Sequence, residues 1–116
     1  MSAPIVHFEI GSKDAAALAK FYGEVLGWTF QPAGAAQMVE TNSNGPSGML
    51  NALGHPPDNY VMIYAEVADI EAAIARAVAA GGAKIVGPAP LPDGRRFAWI
   101  RDTAGNVVGL LTPRGA

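Results

Sequence analysis

The sequence predicts an α+β domain of two tandem βαβββ modules, pairing into a curved mixed sheet with the helices outside and a cavity within. Three observations carry that expectation. A short apolar run, an Asp-led Ala-rich helix, a glycine and three more short runs occur in that order from Ile5 to Leu50 and again from Val61 to Leu111. Asp14 and Asp69 open the helices, and Gly27 and Gly82 follow them at equal spacing. The later runs also correspond, MVETN (38–42) to FAWIR (97–101) and SGML (47–50) to VGLL (108–111). Repeats at this period are supersecondary units whose apolar faces need partners, so function is expected between the modules.

Each element has a local cause. IVHFEI (5–10) is β-branched and aromatic and stops at Gly11, which reads as a strand. Asp14 caps the next segment, where Leu18, Phe21, Val25 and Leu26 recur at helical spacing and predict one apolar stripe; Gly27 ends it in a left-handed conformation. WTFQ (28–31), QMVET (37–41) and GMLNAL (48–53) are short runs separated by Pro, Gly, Asn and Ser, hence strands joined by turns. GHPPDN (54–59) is the linker, because its two prolines fix φ and remove N–H donors. The second module repeats the plan: strand 60–67, helix 69–80 with Ile70, Ala73, Ile74, Ala77 and Val78 inward, then strands AKIVG, RFAWIRD and VVGLLT. The expected layout is one domain over 1–116, with modules 4–53 and 60–113.

Composition narrows the function. The 116 residues suffice for one core and leave no room for an accessory domain. Half are hydrophobic and 16% charged, so part of the surface is expected to be covered by a second copy in a homodimer. A net charge of −2 gives no basic footprint for nucleic acid or an anionic membrane. The absence of cysteine excludes disulfides, thiolate metal sites and a Cys nucleophile, and fits a reducing cytoplasm. MSAPIVHFEIG lacks a basic leader, and no run approaches the roughly 18 apolar residues of a membrane span.

The stretch HFEIGSKDAAALAKFYGEVLGW resembles the opening of the vicinal oxygen chelate superfamily, which includes glyoxalase I, bleomycin-resistance proteins and extradiol dioxygenases. AEVADIEAAIARAVAAGGAKIVGP and FAWIRDTAGNVVGLL are similar to its second module, so the resemblance covers nearly the whole chain. It implies the glyoxalase/bleomycin-resistance fold. Metal-using members carry ligands on the first and last strands of each module. The corresponding positions here are His7, Met62, Gly109 and, for the first module's last strand, Gly48. Glycine and thioether do not replace carboxylates on a hard ion, so no cofactor or metal is expected.

His7 and Glu9 lie two apart on a strand and share a face, which makes them the candidate catalytic pair for proton transfer; the plainer alternative is a hydrogen-bonded His and a Glu paired with arginine. Trp28, Met38, Met49, Met62, Tyr64, Phe97 and Trp99 are the candidate wall of an adaptable apolar pocket, with core packing or a dimer interface as the alternative for each. Arg101, with Arg95 and Arg96 behind the Asp93-Gly94 turn, is a candidate for binding a carboxylate or phosphate, against the alternative of a solvated turn. His55, Glu40, Asp58, Glu66 and Glu71 read as surface groups. Two functions follow. One is metal-free binding of a small organic molecule in a cavity at the module or dimer interface, of the bleomycin-resistance kind. The other is a lyase, isomerase or dioxygenase-type enzyme using His7/Glu9 or a divalent metal held by other ligands.

Overall fold

A computed structural model describes residues 2–41 and 43–115; the end of the 38–42 run lies outside them. The elements are β1 (Ile5–Gly11), α1 (Ala15–Leu26), β2 (Thr29–Ala33), β3 (Ala36–Glu40), β4 (Ser47–Asn51), β5 (Tyr60–Glu66), α2 (Ile70–Ala79), β6 (Ala83–Pro90), β7 (Arg96–Arg101) and β8 (Val107–Leu111). This is α+β, with βαβββ occurring twice. The chain divides into two compact units, Val6–Met62 and Ile63 onward, the second also taking the residues up to Ile5. The division falls inside β1 and β5. Tyr60 at the start of β5 bonds to Glu9 within the first unit, and Glu66 at its end donates its backbone N–H to Pro4 within the second.

In the first unit the strands run β2-β3-β4-β1, with β1 and β4 parallel and the other pairs antiparallel. Asp14 accepts the Ala17 N–H at 3.0 Å and so caps α1, while Gly27 at φ 71 closes it with a bond to the Gly23 carbonyl. Such a cap stabilises a helix by about 1 kcal/mol. The packed stripe differs from the expected one. Ala15, Leu18, Ala19 and Tyr22 pack with Val39, Leu50, Phe8, Ile10 and Phe30, leaving Phe21, Val25 and Leu26 more than half exposed. The spacing of 15, 18, 19 and 22 makes one continuous ridge, and residues 21 and 25 lie to one side of it.

The second unit runs β5-β8-β7-β6, with β5 and β8 parallel. Asp69 caps α2 through the Ala72 N–H at 3.0 Å. Ile70, Ala73 and Ile74 pack on Ala98, Ile100 and Leu110 as expected, but Val78 is exposed. Gly81, not Gly82, is the left-handed residue here, at φ 100. Gly82 is required for another reason: a Cβ there would fall 2.4 Å from the Arg101 carbonyl oxygen.

The register also corrects the internal alignment. Glu9 pairs with Met49 on β4, and Tyr64 pairs with Gly109 on β8. Glu9 and Tyr64 each follow two residues after the equivalent positions His7 and Met62, so the counterpart of Gly109 is Met49, not Gly48. Gly48 pairs with Phe8, whose ring covers it. A slip of one residue moves every side chain of a strand to the other face.

Candidate functional site

Strand alternation sorts the side chains. In the first unit Phe8, Ile10, Phe30, Val39 and Leu50 pack on the α1 side, so His7, Glu9, Met38, Ser47, Met49 and Asn51 lie on the opposite face. Register aligns Gln31, Met38, Met49 and Glu9 across it. Glu9 is 2% exposed. Its Oε2 accepts a hydrogen bond from the Tyr60 hydroxyl and a second, at 3.3 Å, from Asn51 Nδ2. A buried carboxylate requires such donors; here they are a phenol and an amide, not the arginine considered from sequence. Burial raises the Tyr60 hydroxyl pKa above its ordinary value, and the hydrogen bond and charge of Glu9 raise it further, against a smaller lowering by Asn51. His7 Nδ1 lies 2.6 Å from Ser47 Oγ, which also donates to the Val6 carbonyl at 3.4 Å. Tyr60, Asn51 and Ser47 are absent from the sequence-derived site. The signal for Asn51 and Ser47 is that they share parity with Met49, which a secure strand register would have exposed.

Trp28 is not on this face. It packs on the α1 side, its ring 5.4 Å from Phe8 and 5.3 Å from Tyr22, because it follows the helix-ending Gly27 and is carried back over the core.

In the second unit Ala98, Ile100 and Leu110 pack against α2, so Phe97, Trp99, Arg101 and Gly109 take the other face. Tyr64 is 5% exposed. Its ring lies on Gly109, where a Cβ would come within 2.2 Å, and its hydroxyl accepts from Trp99 Nε1 at 2.9 Å. Val86, Trp99, Gly109 and Tyr64 form one row. Met62 is buried at the end of the first unit. Glu66, read from sequence as surface charge, is half-buried and shares the parity of Tyr64. Glu40 and His55 are exposed, as expected. Arg95 and Arg114 pair with Asp93, and Arg96 with Glu71.

The glyoxalase-like domain model matches residues 7–111, nearly the whole chain and both units. The chain belongs to this glyoxalase-like family. Its fold is that of the vicinal oxygen chelate superfamily. A hypothetical protein from Bacillus halodurans C-125 is similar at a TM-score of 0.72 and 16% identity, with 100% of this chain and 98% of that one covered. A Streptomyces coelicolor methylmalonyl-CoA epimerase variant bound to 2-nitronate-propionyl-CoA gives 0.68 and 16%, over 100% and 98%. The Mycobacterium tuberculosis methylmalonyl-CoA epimerase gives 0.62 and 14%, over 94% and 87%. No curated protein matches the sequence.

The metal that the superfamily implies does not fit the residues of this glyoxalase-like chain. The four ligand positions hold His7, Met49, Met62 and Gly109, with the Tyr64 ring on the last. One imidazole and two thioethers are a poor donor set for a divalent ion that favours nitrogen and carboxylate oxygen. Among the described residues no three of His, Cys, Asp and Glu form a group able to hold a metal.

Proposed function

We propose that this glyoxalase-like protein binds a small organic molecule, without a metal ion, on the sheet faces turned away from its helices. The donor set at the four superfamily positions carries the reading. Methionines, aromatics and one His–Ser pair line those faces, a combination suited to an adaptable apolar ligand with a polar group. Native mass spectrometry of the purified protein is expected to retain an organic molecule, and elemental analysis to find no stoichiometric metal. A stoichiometric metal removed by chelators, with loss of ligand, overturns the proposal.

A second reading is favoured by Glu9. A side-chain carboxyl 2% exposed, accepting from Tyr60 and Asn51, is suited to moving a proton between carbon and oxygen. In that reading Glu9 takes the proton α to a carbonyl and the same carboxyl, or His7, returns one. The expected signature is solvent deuterium entering a bound carbonyl compound, lost in Glu9→Gln. Retention without exchange leaves binding alone.

We further propose a cytoplasmic homodimer. Phe21, Val25 and Leu26 present an apolar strip on α1 that a second copy is suited to cover. No helix among the described residues is long and apolar enough to cross a membrane. Light scattering is expected to give twice the chain mass; a value near 11.9 kDa at micromolar concentration overturns the dimer.

A further inference from the structure

On the α2-distal face of the second unit a glycine, a tyrosine and a tryptophan are joined. Gly109 omits a side chain, and the Tyr64 ring fills that space. The Tyr64 hydroxyl then anchors the Trp99 indole through Nε1 at 2.9 Å. A tryptophan held both at its N–H and by its strand has few rotamers to lose, so its ring is a preorganised stacking surface. Phe97 stands two residues before Trp99 on β7, half-buried like it. Val86 flanks Trp99 across the β6 pairing.

Arg101 ends the same line of side chains, exposed, two residues beyond Trp99. Its charge contrasts with that of its neighbours. Arg95, Arg96 and Arg114 each meet a carboxylate within 4.0 Å, whereas no carboxylate of the described residues does so with Arg101. The nearest in sequence, Asp102, is engaged elsewhere: it accepts from the backbone N–H of Ala104 and Asn106 and from Asn106 Nδ2, at 2.8–3.0 Å. The half-buried carboxylate on this face, Glu66, pairs in register with Leu111, which faces Phe97 at the far end of the line. The face therefore runs from an acidic end, over two aromatic rings, to a guanidinium.

We propose that this face binds planar aromatic carboxylates, the ring stacked on Trp99 and the carboxylate on Arg101. The proposal rests on the small-molecule reading above and names the class of ligand. Both contacts are within reach, since side chains two apart on a strand stand about 7 Å from one another, the length of a fused aromatic acid. The guanidinium supplies the bidentate fit to a carboxylate that a lone ammonium does not.

The test is calorimetry with 2-naphthoate and its neutral analogue 2-naphthylmethanol on the full chain. The natural protein is expected to favour the acid by about tenfold at low salt, an ordinary size for a charge-assisted pair. Arg101→Gln, an exposed change that keeps the fold, is expected to lower affinity for the acid to that of the alcohol and leave the alcohol unchanged. Trp99→Phe, checked for folding by circular dichroism, is expected to weaken both. Equal binding of acid and alcohol, or an acid affinity unmoved by Arg101→Gln, overturns the ligand class while leaving small-molecule binding in place. Binding of neither probe overturns the site itself. An organic molecule still retained on native mass spectrometry then keeps the broader reading, and an empty protein ends both.

Discussion

The two units place different chemistry on one scaffold, and the contrast sits in a single row. Across the first unit the row reads Gln31, Met38, Met49, Glu9; across the second it reads Val86, Trp99, Gly109, Tyr64. Backbone pairing is the same, parallel at the last pair and antiparallel before it. At the first-strand position one unit buries a carboxylate and the other a phenol. At the last-strand position one carries a flexible thioether and the other nothing but backbone. The difference follows from volume: a ring lying flat on β8 needs the Cβ of residue 109 removed, whereas the carboxylate of Glu9 leaves room for Met49. The first unit thus presents a buried carboxyl group with its hydrogen-bond donors, the second an aromatic pair joined through Tyr64 and Trp99.

The largest effect expected from disturbing this contrast is at residue 109. Gly109→Ala puts a methyl 2.2 Å from the Tyr64 ring in a buried strand, and overpacking of this kind costs about 3 kcal/mol. Met49→Ala at the equivalent place, half-buried, is expected to cost about 1 kcal/mol. Urea unfolding of the two variants measures the asymmetry. Adding Tyr64→Ala to Gly109→Ala makes room for the methyl, so the double variant is expected to be more stable than the sum of the two single changes. Additivity would mean that ring and glycine are not coupled.

Next in size is the first unit's buried acid. Tyr60→Phe removes a donor from Glu9, which is 2% exposed, and leaving a buried acceptor short costs about 1–3 kcal/mol. The same variant has a pH signature. The folded-state pKa of Tyr60 is raised, by burial first and then by Glu9. Its contribution is therefore fully present below the ordinary tyrosine value of about 10 and lost as pH climbs above it toward the folded value. Stability of the natural protein is expected to fall in that alkaline window, and Tyr60→Phe to flatten the fall. An unchanged slope would show that the phenol keeps no preference for its neutral form on folding. Tyr64→Phe, which takes the acceptor from Trp99 Nε1, is expected to cost about 1 kcal/mol, near the mean for one hydrogen bond. Its ring stays on Gly109, so fluorescence should change more than stability.

Much of this arrangement was legible before any coordinate. The order of elements, both Asp caps and the pairing of His7 with Glu9 on one face follow from period and capping chemistry. What stayed hidden depends on register. Choosing Gly48 over Met49 is an error of one residue, and apolar strands separated by variable turns contain nothing local that fixes it. The same holds for Trp28, whose direction after Gly27 depends on the turn, and for Phe21, Val25 and Val78, since an Ala-rich helix offers two adjacent stripes and packing selects one. Tyr60 was invisible as a site residue for a different reason: its role comes from Glu9, a long-range partner.

The smallest effect expected is in the charges at the surface, where the units should not differ. The second unit pairs Arg96 with Glu71 at 2.5 Å and the first pairs Lys13 with Asp58 at 3.8 Å. Arg96 holds the Glu71 carboxyl below its ordinary pKa, chiefly by their hydrogen bond. A depressed carboxylate contributes stability above its unfolded pKa and loses it as pH falls through the folded value, so the pair ought to matter at neutral pH and fade in acid. Solvent decides the size. Glu71 is exposed and the arginine side chain is 42% accessible, and water and salt screen such pairs until most contribute little. Glu71→Gln and Asp58→Asn are therefore expected to leave Tm unchanged at physiological salt, in contrast with Tyr60→Phe. A marked drop for Glu71→Gln alone, persisting at high salt, would show that Arg96 positions the start of β7, and through it the Phe97 and Trp99 line, by more than a screened attraction.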